Sequence, residues 1–198
     1  FLLISIGLGS LSFVNYISYC MDEGKGCREL IAGIEDDIIS TFYKKMVFVN
    51  LNGECSDIEY NFKSIATSKE NYDIVVNHNS KNTISNIINN SVCTKDGKIY
   101  FQVSGYVENG IKNCTLNQSN HIINLTNNKC EIKPNLYIRE YDTTANHSAL
   151  IGGFDKDEIF YLRSRGINEV EAKKLLIRGF LLNGIDDKKL IKVIEKNI

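Results

Sequence analysis

Short apolar runs separated by polar turns occupy most of the chain. Between residues 56 and 64, Ile58, Tyr60 and Phe62 alternate with polar or charged residues, as in a strand with one buried face. Because no long helical pattern interrupts these runs, residues 42–150 are predicted to be almost entirely β. The other predicted strands are 2–6, 11–17, 46–51, 73–76, 84–88, 98–103 and 122–125, whereas 27–39 is read as strand with helix left open.

The pattern alone does not separate a sandwich, a barrel and a solenoid, because no repeat of fixed length is present. Several turns are marked by Asx-Gly pairs, among them Asn52-Gly53 and Asp96-Gly97. Asparagine tolerates left-handed backbone angles, so further turns are expected at Asn79, Asn89-Asn90 and Asn127-Asn128.

The pattern changes to a helical one near Gly152-Gly153. Asp155 with Glu158, and then Asn168 with Glu171, have the spacing of helix capping boxes. We therefore predict a β body over residues 1–150 and a helical region over 151–198, with helices between 155 and 197. The second helix is expected to carry an apolar stripe of Ala172, Leu175, Leu176 and Phe180, and a third to begin at Asp186.

Charge and composition exclude several classes of function. A net charge of −1 gives no basic excess for nucleic acid. Residues 1–14 are apolar but too few to span a membrane, and no basic n-region precedes them. Six cysteines without a CxxC pair or zinc-ligand spacing favour reduced thiols in the cytoplasm. With no phosphate loop and no GxSxG, we expect a protein that is not an enzyme.

Four stretches resemble one family. The longest, HSALIGGFDKDEIFYLRSRGI from His147 followed by EAKKLLIRGF, resembles the C-terminal signature of the SufB/SufD proteins of iron–sulfur cluster assembly. The others are KPNLYI from Lys133, VVNH from Val75 and KDGKIYF from Lys95. The motif FYLRSRG resembles the corresponding sequence of SufD more closely than that of SufB. The resemblance covers about residues 42–182 and only the C-terminal part of a SufD-like protein.

This resemblance implies a right-handed parallel β-helix, a solenoid, with a small C-terminal α-helical region. It implies a scaffold that pairs through the β-helix with a SufB-like subunit and docks a SufC-like ATPase through its helices. ATP would then be hydrolysed by the other subunit. The location implied is cytoplasmic, or the stroma or matrix of an organelle in a eukaryote. No intrinsic cofactor is implied, only a transient iron–sulfur cluster or iron shared with the partner.

The resemblance also implies where the chemistry lies. His147 is the residue implicated in cluster building, and imidazole is a good iron ligand. Cys130 is a weaker candidate, because a free cysteine is most often a small buried hydrophobe. His78 is expected to be a hydrogen-bonded histidine at a strand end. The resemblance places the essential cysteine of a SufB-like protein near His121, and this chain has no cysteine at that place, which favours SufD over SufB. The expected ATPase-binding residues are Ile159, Phe160, Leu162, Arg163, Arg165, Leu176 and Phe180.

Two other functions are compatible with a β-solenoid. One is an enzyme acting on polysaccharide, which needs carboxylates clustered on consecutive coils. The acidic residues of the β body are instead scattered in the sequence, at Glu54, Asp57, Glu59, Asp73, Glu108 and Glu131. The other is a structural protein that pairs with itself.

Overall fold

Two stacks of parallel strands form the body of the protein. The structure is a computed structural model and describes residues 2–3, 11–18, 44–183 and 191–192. The first sheet has the order β1-β2-β4-β6-β8-β10 and the second the order β3-β5-β7-β9. The strands are β1 (Leu2–Leu3), β2 (Leu11–Ser18), β3 (Lys44–Leu51), β4 (Asp57–Ala66), β5 (Lys69–His78), β6 (Ile84–Cys93), β7 (Lys98–Val107), β8 (Cys114–Asn124), β9 (Glu131–Ile138) and β10 (Thr143–Gly152).

From β2 onward, successive strands alternate between the two sheets, and the chain winds as a solenoid of about four turns. Strands β4, β6, β8 and β10 pair in parallel, as do β3, β5, β7 and β9. Strand β2 pairs antiparallel with β4. The predicted β body and solenoid are therefore confirmed, with no helix among residues 44–150.

The length of one coil varies along the solenoid. Lys44 pairs with Asn71, a step of 27 residues. Ile84 pairs with Thr115, a step of 31 residues. Because the turns absorb these differences, the strands stay in register while the sequence shows no fixed repeat.

Aromatic rings fill the centre of the solenoid. Phe62 on β4, Tyr72 on β5 and Phe101 on β7 are buried and touch one another, with ring centroids 4.6 to 5.7 Å apart. The alternation seen in the sequence places Ile58 and Tyr60 on the same inward face. Aromatic burial from both sheets holds the two stacks together.

The expected turn at Asn89-Asn90 is wrong. Both residues lie inside β6, and the buried Asn89 donates from Nδ2 to Oδ1 of Asn120 on β8, at 2.7 Å. Asparagine suits this place because its amide can pair with an identical amide one coil away. The left-handed turn positions are instead Cys55, Asn82, Lys95 and Asn113.

Two helices follow the solenoid, as predicted. Helix α1 (Lys156–Ser164) begins after Asp155, whose side chain accepts from the backbone N of Asp157. Helix α2 (Glu169–Leu182) begins after Asn168, whose Oδ1 accepts from the backbone N of Glu171. Gly166 between them has a φ of +84°, a conformation that glycine adopts without strain.

Helix α2 covers part of the outer face of the first sheet. Ile177 and Leu181 pack against Ile65, Val92 and Ile123 of β4, β6 and β8. The buried residues of α2 are Ala172, Ile177 and Leu181. Of the other residues in the expected apolar stripe, Leu175 is exposed, and Leu176 and Phe180 are half-buried. Apolar residues therefore lie on more than one side of this helix, and only one of those sides packs against the sheet.

A buried lysine fastens the C-terminal end of α2. Lys63 on β4 donates from Nζ to the backbone O of Asn183, at 3.0 Å. Burial lowers the pKa of Lys63. A cation near the carbonyl end of a helix is favourable, because those carbonyls carry partial negative charge.

Two expectations lie mostly or wholly outside the described residues. The first is the strand or helix expected at residues 27–39. The second is the third helix expected from Asp186, of which the structure describes only Ile191 and Lys192, both helical. In the part of the chain that the structure describes, neither helix has the length and apolar character needed to cross a bilayer.

Replacing Phe101 by alanine is expected to lower the free energy of unfolding by about 3–5 kcal/mol, because it empties the centre of the aromatic cluster. Phe160→Ala on α1 is the matched control, since that ring is exposed, and it should change stability by less than about 0.5 kcal/mol. Urea unfolding followed by circular dichroism measures both. Equal destabilisation by the two variants would contradict this account of the core.

Candidate functional site

His147 lies on the last strand of the first sheet. It pairs in register with Gln118 of β8, which pairs with Ile87 of β6, which pairs with Tyr60 of β4. In-register neighbours on parallel strands point to the same face, so the four side chains form one inward column. Tyr60, Ile87 and Gln118 are buried, whereas His147 is exposed because the column ends there.

We call the surface formed by β9 and β10 the open end of the solenoid. Each is the terminal strand of its sheet, and no strand among the described residues pairs with its outer edge. Tyr137 on β9 and Leu150 and Ile151 on β10 are exposed apolar side chains. An unpaired strand edge with apolar neighbours is a ready template for pairing with another chain.

Amide side chains support β10 on both sides of its sheet. On the inner side, Asn120 Nδ2 donates to the backbone O of Ser148, at 3.2 Å. On the outer side, Asn146 Nδ2 donates to Oδ1 of Asn117, at 3.2 Å, and Asn117 Nδ2 donates to Oδ1 of Asn86, at 2.9 Å. The backbone on both sides of His147 is therefore held, although the strand is at the edge.

The open end offers one imidazole to a metal ion. Over the described residues, no group of three or more His, Cys, Asp or Glu side chains is placed to hold one. A stable iron site normally needs four or more ligands, so His147 suits a site completed by ligands from another molecule.

Cys130 does not share the surface of His147. It precedes β9 and is only 7% exposed, and its Sγ lies 3.5 Å from Sγ of the buried Cys93. Burial, and next the neighbouring Cys130, raise the pKa of Cys93. Cys130 is therefore packed inside the solenoid against the thiol of Cys93, whereas a metal ligand must be accessible to the metal.

The other histidine candidates are packed. His78, at the end of β5, has Nδ1 2.7 Å from Oγ1 of Thr83 and Nε2 2.9 Å from Oγ of Ser85. Burial lowers its pKa to about 4, so the ring is neutral. His121 faces outward from β8, with its ring centroid 4.8 Å from that of Phe180. Its pKa is also lowered by burial.

The expected ATPase-binding residues divide by exposure. Phe160 and Arg163 on α1 and Arg165 directly after it are exposed, with Phe160 73% exposed. The remaining four are half-buried: Ile159, Leu162, Leu176 and Phe180. Leu175, from the expected apolar stripe of α2, is also exposed, and Tyr161, which the sequence interpretation did not include, extends this surface.

Residues 37–180 match the family model described as "SUF system FeS cluster assembly, SufBD core domain". The chain belongs to the SufB/SufD family. It is 30% identical over 137 residues to iron–sulfur cluster assembly protein SufD of Bacillus subtilis (strain 168), which covers 65% of this chain and 31% of that protein. It is 29% identical over 133 residues to SufD of Escherichia coli (strain K12), covering 66% and 31%.

A SufBD family protein of Mycobacterium leprae (strain TN) is 47% identical over 58 residues, 28% of this chain and 15% of that protein. The similarity to the two SufD proteins supports the prediction that this chain is SufD-like and corresponds to the C-terminal part of such a protein. In each case the matched region spans less than a third of the relative's length.

Stability is expected to fall as the pH drops from about 6.5 to about 4, because His78 binds a proton in the unfolded chain before it does in the folded one. The loss is about 1.4 kcal/mol per pH unit, or about 3 kcal/mol across the window. Urea unfolding at stepped pH measures it. His78→Gln should flatten the profile in this window, and His121→Gln should do so less. An unchanged slope in His78→Gln would contradict the buried, neutral ring.

Proposed function

We propose that this chain is a SufD-like scaffold subunit of a SUF iron–sulfur cluster assembly complex in the cytoplasm. It pairs with a SufB-like subunit through the open end of the solenoid and binds a SufC-like ATPase through its C-terminal helices. Iron or a nascent cluster is its cargo, held between the two scaffold subunits with His147 as one ligand. The chain itself performs no catalytic step, and the ATPase supplies the energy.

The observation that carries this proposal is the exposure of His147 on an otherwise buried inward column. The same position is filled by Gln118, Ile87 and Tyr60 in the preceding coils, and all three are buried. A polar, metal-competent side chain replaces them where the column meets the surface. A partner strand added to β10 would bring its own side chains beside His147, which supplies the missing ligands.

The helical region has its own reason to bind a partner. Helix α1 buries none of its residues, although it carries Ile159, Phe160 and Tyr161 on successive positions. Arg163 lies 3.7 Å from Glu169, and Arg165 stacks 5.2 Å from the centroid of the Tyr161 ring. An apolar surface with arginines at its rim is typical of a protein–protein interface. A partner with an acidic rim fits it.

The scaffold role is tested by co-expressing a tagged chain with the SufB-like and SufC-like proteins of the same genome, without oxygen. His147→Gln is expected to retain both partners and to lower iron and acid-labile sulfide per complex by roughly tenfold, since it removes a ligand and keeps the strand. The matched control is Asn146→Ala, a neighbouring exposed residue that faces the other side of β10. Iron and sulfide are assayed on the purified complex.

Full iron and sulfide in the His147→Gln complex would remove His147 from the cargo site. A tagged chain that recovers neither partner, and whose mass corresponds to two copies of itself, would replace this proposal by a self-pairing protein.

Helix docking is tested separately with Phe160→Asp. Burying a phenylalanine contributes about 1.5–3 kcal/mol, so this variant should weaken ATPase binding at least about tenfold while SufB pairing persists. Val170→Asp is the control, because Val170 is 64% exposed on α2, outside the proposed surface, and an acidic residue suits a first helical turn. Pull-downs measure both. Wild-type ATPase recovery by Phe160→Asp would place the docking surface elsewhere.

A further inference from the structure

We propose that Gln118 is a positioning residue for His147. Its side-chain oxygen accepts a hydrogen bond from one imidazole N–H and so leaves the other ring nitrogen free, directed out of the open end. The ligand for that nitrogen is a borderline cation such as Fe²⁺. The identity of the cation rests on the proposed function, whereas the contact between Gln118 and His147 does not depend on it.

The first observation is a buried oxygen without a partner. Gln118 is 5% exposed, and among the described residues no hydrogen-bond donor reaches its Oε1. Its Nε2 donates to the backbone O of Asn135 on β9, at 3.3 Å, which fixes the amide group with its oxygen turned the other way. A buried acceptor left unpaired costs about 1–3 kcal/mol, so a donor that approaches it is held there.

The second observation is which donors stand beside that oxygen. In its own column Gln118 has Ile87 on one side and His147 on the other, and only the histidine carries an N–H. The nearby inward amides are engaged, since Asn89 donates to Asn120 and Asn120 donates to the backbone of Ser148. Neighbouring strands lie about 4.8 Å apart, so a rotation of the exposed His147 ring brings an N–H within reach of Oε1.

The third observation is that the amide has little room to turn away. Gly105 on β7 faces Gln118 across the solenoid, and a Cβ at that glycine would lie 3.3 Å from Nε2. The amide is thus packed against the opposite sheet on one side and bonded to Asn135 on another. The amide oxygen can therefore find a donor only on the side that faces His147 and the open end.

The chemical consequence concerns the tautomer of the imidazole. A neutral ring has one N–H and one free nitrogen, and an acceptor next to one nitrogen fixes which is which. Metal-bound histidines are commonly oriented in this way, and losing the acceptor typically weakens metal binding 10–100-fold. Gln118 would supply that orientation from the coil below, before any partner or metal arrives.

The test is the tautomer of His147 in the purified chain labelled with ¹⁵N-histidine. Two-bond ¹H–¹⁵N correlation spectra are recorded at about pH 8.5, where a histidine with an ordinary pKa is neutral. The His147→Gln spectrum assigns the signals among the three histidines. The wild-type chain is expected to show a single tautomer. Gln118→Met, of similar length without an acceptor, should show the averaged pattern of a mixture, whereas Gln118→Glu should restore a single tautomer.

Asn117→Ala is the matched control, because it removes the support of β10 on the outer face and leaves the inward column intact. It should keep the single tautomer. If Gln118→Met does not fold, Gln118→Asn takes its place, since the shorter side chain withdraws the oxygen and should also give the mixture.

The same tautomer pattern in wild type and Gln118→Met, or a mixture in the wild-type chain, would overturn the proposal. Neither result depends on a partner or on iron. A scaffold role for His147 that fails in the co-expressed complex would therefore leave the Gln118 contact standing, and failure of the contact would leave the scaffold role standing.

Discussion

In-register pairing of parallel strands is the constraint on which this structure depends. Each side chain stacks on the residue one coil earlier, so the interior is a set of columns that must each be compatible along their whole length. The turns absorb coil lengths that differ by several residues, as the pairs Lys44–Asn71 and Ile84–Thr115 show. The register is therefore set by matching inward faces, since a slip of one residue would expose every buried side chain.

Columns also explain how the solenoid buries many polar groups. Asn89 pairs with Asn120, and Ser64 Oγ lies 2.7 Å from Ser91 Oγ, in each case one coil apart. A polar residue that stacks on another polar residue has its hydrogen bond supplied by the repeat, which offsets the cost of removing it from water. The arrangement fails where a column changes character or ends. Gln118, between Ile87 and the exposed His147, is such a place.

The sequence predicted what depends on local pattern: the β body and the helix caps at Asp155 and Asn168. It did not predict what depends on stacking. Asn89 has the local preferences of a turn residue, yet its amide pairs with a strand 31 residues away. His147 was identified through the resemblance. Gln118 could be identified only from the strand register, because no motif in the neighbouring sequence indicates a role for it. Most of β8 was missed for the same reason: its inward face includes Gln118 and Asn120, so the apolar alternation is interrupted.

Strand β8 connects the two surfaces for which we propose partners. On its outer face, Ile123 packs against α2, and His121 contacts the ring of Phe180. On its inner face, only three residues before His121, Gln118 stands below His147. Buried strands of this kind are stiff, because each pairs on both sides along its length. One rigid strand, rather than a flexible loop, therefore positions both α2 and the strand that carries His147. In the function that we propose, β8 links the surface for the cargo with the surface for the ATPase, because packed side chains and rigid secondary structure carry energetic coupling between sites.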